Sequence, residues 1–323
     1  MTVSQTSTLS AFAQDVLDGL SQEKRRLSSK WFYDSRGSEL FKQIMSCPEY
    51  YLTEAEAEIY RHSAASLYEA TEGQPFDLIE LGAGDGTKTQ LLIERFLAAG
   101  AQFTYRPIDL SASALSDLGK LIKLRWPRLE FNPIQADYFE ALDRLGSSTG
   151  SRLRVVLFPG ANIGNFSPTE AIGMLRNVRN FLRPGDLLFT GFDLKKDPAV
   201  VLAAYNDPAG YTAAFNLNLL SRINRELGGD FKLDCWRHWE TYDPVTGAAR
   251  SFLLPIEPQT IVLSEVQRSF QFRAWEPIQV EISQKYTLRE IEGIADASGF
   301  DFLRHYCDGR AYFTDSLWQV PTR

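Results

Sequence analysis

The sequence predicts an α/β protein: a doubly wound, mostly parallel sheet that carries a second, α+β part. Three observations lead there. A buried apolar run at Phe76–Leu81 opens onto glycines at positions 82, 84 and 86 and then an amphipathic stretch. Strand-like and helix-like stretches alternate from there to Phe192. The alternation then stops, and a helical stretch (197–227) and a strand-and-turn stretch (231–286) intervene before a helix–strand–strand ending.

Each element has a local reason. A helix is expected over 11–29, with Phe12, Val16, Leu17 and Leu20 on one stripe. The stretch 31–60 is dense in aromatics and broken by Gly37 and Pro48, and Thr53 with Glu56 forms a capping-box pattern opening a further helix. Trp31, Phe32 and Phe41 are expected to pack. Tyr33, Tyr50 and Tyr51 carry hydroxyls that need partners when buried and are candidates for a polar pocket. Beyond the glycines, a helix from Thr87 to Ala98 ends at Gly100, and a strand from Phe103 finishes at Asp109. Ser111 caps the next helix, which Pro127 stops, and a third strand from Leu129 finishes before Asp137. A fourth strand, Leu153–Phe158, leads into PGANIGNFSPTE, where Ser167, Pro168 and Glu170 mark a strong helix start. Arg183-Pro184-Gly185 turns into a fifth strand near Leu187. DPVTG at 243–247 reads as a hairpin connection, and the last strand, near 312–320, is expected to run antiparallel.

Composition narrows the function. With 323 residues, 44% hydrophobic and 23% charged, the chain has ample core for a large soluble domain or two. A net charge of −7 disfavours a broad phosphate-binding surface, so small molecules are favoured over nucleic acid. Cys47, Cys235 and Cys307 show no paired spacing, which argues for a reducing compartment, and His62, His238 and His305 are too scattered to suggest a metal site. No basic-then-apolar leader and no membrane-length apolar run is present, so a cytoplasmic protein without membrane partners is expected.

The glycine turn is where a ligand can lie against bare backbone at a helix N-terminus. A dinucleotide fingerprint would need a third glycine where Thr87 stands. What stands here is acidic-x-G-x-G-x-G, with Glu80 beside the turn, where a carboxylate suits a ligand bearing an ammonium and a sulfonium. An ordinary flexible turn, or another kind of nucleotide site, has the same local pattern. Further candidates end successive strands. Asp109 is placed to accept from ribose hydroxyls or to cap the following helix; Asp137 and Tyr138 lie at an expected adenine edge or on a solvated loop. Lys88 sits in a first helical turn, where the helix dipole disfavours a cation, which hints at a ligand partner such as a carboxylate, the alternative being extension into water. Asn162 and Asn165 follow the fourth strand; on residues alone, Asn165 only shapes the turn before Ser167. Glu281 and Ser283 alternate in VEISQKY and share a strand face, suiting a ring N–H or a plain solvated face.

Taken together and in order, WFYDSRGSELFKQI, PEYYLTEAEAEI, ELGAGDGTKT, FPGANIGNF, AYNDPAGYTAAFN and VEISQKY resemble the histidine Nα-methyltransferase family of ergothioneine biosynthesis, over almost the whole chain. The resemblance implies a class I S-adenosylmethionine methyltransferase fold, with a Rossmann-like seven-strand sheet and a second α+β substrate-binding domain. Residues 61–195 with 287–323 would bind S-adenosylmethionine, and residues 11–60 with 196–286 the substrate. By matching positions it implies cofactor contacts at Gly82, Lys88, Asp109, Asp137 and Tyr138, and substrate contacts at Tyr50, Asn165, Tyr205, Glu281 and Ser283. Tyr33 and Asn165 would act nearest the reacting amine, and Glu281 with Ser283 would recognise imidazole. The implied activity is trimethylation of the α-amine of L-histidine to hercynine by a monomer using S-adenosylmethionine. Alternatives are methylation of another amino acid such as tryptophan, or a non-catalytic binding module. The chain departs from some members within GAGDGTKT and at Phe252 and Leu253, which leaves the pocket's shape open.

Overall fold

The computed structural model describes residues 9–146 and 152–322. In chain order, helices α1 (Ala11–Leu20), α2 (Ser35–Met45) and α3 (Leu52–Glu69) precede β1 (Phe76–Leu81), α4 (Thr89–Ala98), β2 (Phe103–Asp109) and α5 (Ala112–Arg125). Next come β3 (Glu130–Phe131), β4 (Ile134–Gln135), α6 (Tyr138–Gly146), β5 (Leu153–Phe158), α7 (Pro168–Phe181) and β6 (Leu187–Asp193). Then α8 (Pro198–Ala204) and α9 (Tyr211–Leu227) lead to β7 (Trp236–Asp243), β8 (Ala248–Pro255), β9 (Gln259–Leu263), β10 (Arg268–Phe272) and β11 (Ile278–Gln284). The chain closes with α10 (Leu288–Ala297), β12 (Asp301–Cys307) and β13 (Phe313–Gln319).

These elements form two compact units, one of residues up to Tyr50 with Lys196–Ser283, the other of Tyr51–Lys195 with Gln284 onward. The division falls before α3, so residues 51–60 and 284–286, expected beside the substrate, belong with the large sheet.

The sheet unit has the strand order β12-β13-β6-β5-β1-β2-β3, with β4 also paired to β2. β1, β2, β5 and β6 run parallel, and β13 lies antiparallel to both β6 and β12. Strand order reverses beside β1, which has β2 on one side and β5 on the other. In such sheets ligands collect at that switch, beyond the carboxyl ends of the strands. All seven residues of β6 are buried, as a strand covered on both faces requires. α7 packs Ala171, Met174, Leu175, Val178 and Phe181 into the core at helical spacing, and its expected capping box of Ser167 and Glu170 is present. The expected third strand is instead two short ones, β3 and β4, separated by Asn132 and Pro133. Proline has no N–H for the ladder, so pairing with β2 lapses there and resumes at Ile134. Among the described residues the sheet therefore counts eight strands, the expected third strand being present as two.

Two helix boundaries differ from expectation. α1 stops at Leu20 rather than Ser29 because the chain folds back: a Cβ on Gly19 would lie 2.1 Å from the Arg26 carbonyl oxygen, and Leu27 N–H donates to the Gln279 carbonyl at 2.8 Å. α3 starts at Leu52 with no side-chain cap, so the Thr53–Glu56 box does not form; Glu56 is buried and paired elsewhere. Within the sheet unit, Tyr51 donates to both Asp193 carboxylate oxygens at 2.9 Å, and Lys285 Nζ lies 2.7 Å from Asp193 Oδ2, all buried.

The other unit packs α2 against α9 and carries a three-stranded sheet ordered β11-β8-β7. The β7–β8 hairpin turns at Asp243–Gly247, where Asp243 accepts from Val245 N–H at 2.9 Å and Thr246 Oγ1 at 2.7 Å. Phe215, Leu219, Leu220 and Ile223 of α9 join Trp236, Leu253, Ile278 and Val280 in its core.

Candidate active site

In the sheet unit, the expected cofactor residues converge at the carboxyl ends of β1, β2 and β4. Gly82, Gly84 and Gly86 have φ of 75°, 54° and 64°, a left-handed backbone that disfavours any side chain. Gly82 faces Tyr138: a Cβ there would lie 2.8 Å from Tyr138 Oη and 3.6 Å from Asn162 Nδ2. A Cβ on Gly160, just past β5, would lie 3.5 Å from Asn162 Nδ2 and 3.6 Å from Lys88 Nζ. The result is a cradle floored by bare backbone, with Tyr138, Asn162 and Lys88 at its edges. Burial pushes the Tyr138 phenol well above its ordinary pKa, with Asp109 adding to the effect, so it stays a neutral hydrogen-bonding group.

Asp109 braces the turn before α5, whose N-cap is Ser111, and can also bind. Its Oδ2 accepts from Gly84 N–H at 2.8 Å and its Oδ1 from Ser111 N–H at 2.8 Å, which ties the carboxylate to the glycine turn. Each oxygen keeps a second lone pair for a ligand hydroxyl. Asp137 caps α6, accepting from Glu140 N–H at 2.9 Å, and is exposed. Glu80 does not face the turn's open side: it is buried and accepts from Thr89 Oγ1 at 2.5 Å and from the Tyr105 hydroxyl. Burial raises its pKa to about 7, although those two hydrogen bonds oppose the rise. It anchors α4 to β1 and β2.

Lys88 has a carboxylate partner that is not a ligand's, as its position suggested, but the chain's own. Its ammonium pairs with Glu56 Oε2, while Glu56 Oε1 accepts from Gly160 N–H at 2.6 Å. Burial alone would depress the Lys88 pKa, but Glu56 outweighs it and keeps the amine protonated. Asp315, wholly buried with no hydrogen bond to its carboxyl oxygens, is pushed well above the carboxylate range by burial and by Glu56, against Lys88. Of the two buried acids, Glu56 is the one in direct contact with the Lys88 ammonium. Asn165 is exposed at the end of the turn Asn162–Asn165, and Asn162 Nδ2 donates to the Pro159 carbonyl at 2.7 Å.

In the other unit, Tyr205 and Ser283 share a 2.7 Å hydrogen bond and are both buried. An aromatic chain leads outward: Tyr205 and Tyr50 centroids lie 6.4 Å apart, Tyr50 and Phe41 6.1 Å, and Phe41 and Tyr33 5.4 Å, each pair edge-on. Tyr33 is half exposed. Glu281 Oε2 lies 3.3 Å from the Ser251 hydroxyl, which also lies 2.6 Å from Glu240 Oε2. Glu240 and Ser251 are direct partners across the β7–β8 ladder, and His238 Nε2 is 3.9 Å from the Glu240 carboxylate. Burial lowers the His238 pKa to about 4, so that ring is neutral.

Sequence reasoning therefore assembled Tyr33, Tyr50, Tyr205 and Ser283 in one unit and Gly82, Lys88, Asp109 and Tyr138 in the other, and it missed Glu56, Glu240 and Ser251. For the last two a signal existed. Alternation in H-W-E at 238–240 puts His238 and Glu240 on one face, and the same parity turns Ser251 and Leu253, not Phe252, to a common side. Leu253 is core, which leaves Ser251 as the polar member. No helix among the described residues is long and apolar enough to cross a membrane.

Residues 12–320 match the family described as histidine-specific methyltransferase, SAM-dependent. The chain is 35% identical to a histidine N-alpha-methyltransferase of Mycobacterium tuberculosis (strain CDC 1551 / Oshkosh), covering 95% of this chain and 94% of that one. It is 29% identical to ergothioneine biosynthesis protein 1 of Schizosaccharomyces pombe (strain 972 / ATCC 24843), over 88% of this chain and 38% of that longer protein. Among solved structures, the mitomycin 7-O-methyltransferase MmcR shares the fold, with a TM-score of 0.51 at 10% identity, covering 96% of this chain and 69% of that one. The glycine cradle at the switch point and the match along nearly the full length agree: the chain belongs to the S-adenosylmethionine-dependent, histidine-specific methyltransferase family.

Proposed function

We propose that this enzyme transfers three methyl groups in turn to the α-amine of L-histidine, yielding hercynine, in the cytoplasm and as a step toward ergothioneine. The observation that carries the histidine assignment is the carboxylate of Glu281, held beside Ser251 on the strand that presents Ser283 to Tyr205. A half-buried acid beside fixed hydroxyls suits a ring N–H, from which it can accept a charge-assisted hydrogen bond.

S-adenosylmethionine, when bound, supplies an electrophilic methyl on sulfur. The glycine turn fits it, since a Cβ on Gly84 would meet nothing within 4 Å and the backbone there lies open to a ligand. Asp109 would take ribose hydroxyls, Lys88 the carboxylate end, and Asp137 with Tyr138 the adenine side. Asn165 and Tyr205 would orient the amino-acid end of histidine, and Tyr50 would pack beside it. Asparagine can donate or accept without attacking the methyl itself. Much of the rate would come from positioning, because the step is an in-line displacement by a free amine. Tyr33, half exposed, would pass the released proton to solvent. The trimethylated product is a fixed cation, which tyrosine faces attract by about 0.5–2 kcal/mol.

The test is direct. Incubation with S-adenosylmethionine and histidine as sole acceptor should give products carrying one, two and three added methyl groups by mass spectrometry. Tryptophan in place of histidine should give none. Glu281→Ala should lose at least about tenfold in kcat/KM for histidine, roughly 1.4 kcal/mol. No methylated histidine at long times would overturn the assignment.

A further inference from the structure

Glu56 belongs to none of the expected site residues, yet its side chain is fully buried and both of its oxygens are committed. One holds Lys88, the residue capping α4 at the end of the glycine turn; the other holds the backbone of Gly160, which leads into the turn Asn162–Asn165. The fold makes room for it. A Cβ on Gly191 of β6 would lie 2.7 Å from Glu56 Oε1, so a glycine stands in the middle of the sheet where the carboxylate passes. A buried ion pair is seldom the most stable way to fill a core, since apolar residues of like volume do as well or better. Both groups this pair fixes border the cradle beneath Gly82.

We infer that Glu56 is a positioning residue for methyl transfer, holding the Lys88 ammonium and the Gly160 backbone in fixed register at the cofactor cradle. It rests on the proposal that Lys88 contacts the methyl donor. Asp315 cannot replace Glu56, because its carboxyl makes no hydrogen bond to either group.

The experiment is a double-mutant cycle read by calorimetric binding of S-adenosylhomocysteine. Glu56→Gln keeps an oxygen for the Gly160 N–H but puts an amide beside Lys88 in place of a carboxylate oxygen. Its affinity is expected to fall about tenfold (~1.4 kcal/mol), while KM for histidine stays within about twofold. Lys88→Met should weaken binding to a similar degree, and the double variant should bind no worse than Lys88→Met alone, because the two residues act as one unit. A purely structural Glu56 would give additive losses or affect both substrates alike, and either result overturns the inference. So does normal affinity in Glu56→Gln when Lys88→Met is weakened. Normal affinity in Lys88→Met removes the cofactor role of Lys88 and this inference with it. Should Glu56→Gln fail to fold, Glu56→Asp keeps the charge but is too short to reach both partners. Weakened affinity there supports the inference, and wild-type affinity overturns it.

Discussion

Ser251 has one hydroxyl hydrogen and two carboxylates within reach, Glu240 at 2.6 Å and Glu281 at 3.3 Å. The shorter contact holds the hydrogen, so Glu240 orients Ser251, and Ser251 limits where the Glu281 carboxylate can rest. Ser251→Ala removes the group set between Glu240 and Glu281 and is expected to lower kcat/KM for histidine by about fivefold, roughly 1 kcal/mol, and to leave KM for S-adenosylmethionine unchanged. Steady-state kinetics with each substrate varied in turn decides it; an unchanged histidine constant would disconnect Ser251 from the site. At this scale the sequence placed residues correctly where chemistry and spacing coincide, as with the left-handed turn at Gly82 and the shared strand of Glu281 and Ser283. It was not legible where a residue's partner lies far along the chain. Nothing near Glu56 signals Lys88, and the local capping pattern with Thr53 pointed the wrong way.

At the scale of elements, β1, β2 and α4 are joined through Glu80, whose two oxygens take the Thr89 and Tyr105 hydroxyls. Its folded pKa of about 7 lies above the ordinary glutamate value of 4.5. The folded state thus binds the proton more tightly than the unfolded one. Its contribution to stability is complete below about 4.5 and is lost as pH rises through 7. Glu80→Gln keeps an acceptor for Thr89 and an amide N–H for Tyr105 without titrating. Its melting temperature should exceed the wild-type value at pH near 8 and converge on it in acid, as differential scanning calorimetry across that range will show. His238 works in the other direction: with its pKa lowered to about 4, stability falls as pH drops below 6.5, and that slope should be steeper once Glu80 no longer opposes it. Most element positions were readable, because the caps at Ser111 and Ser167 and the turn at Asp243–Gly247 are local chemistry. The end of α1 was not, because a contact with Gln279, distant in sequence, ends it.

Over the whole molecule, the chain passes between its two compact units near residues 50, 195 and 283. Tyr51, Asp193 and Lys285 each stand within two residues of one of those passages, and all three meet at the Asp193 carboxylate. Asp193→Ala would leave the Lys285 ammonium buried beside an emptied site. A loss of about 3–5 kcal/mol in urea unfolding is expected, against about 1 kcal/mol for an average substitution. Where the chain changes units was the least legible feature, since α3 continues the aromatic run of 31–60 in sequence but packs with the large sheet in space. Gathering the points of departure and return at one acid has an evolutionary corollary. The inserted segment begins and ends at anchored positions, so its amino acids can be exchanged for others without loosening the strands that carry the methyl donor. With the substrate seated as proposed, a lineage can then acquire a new acceptor while inheriting the same transfer chemistry.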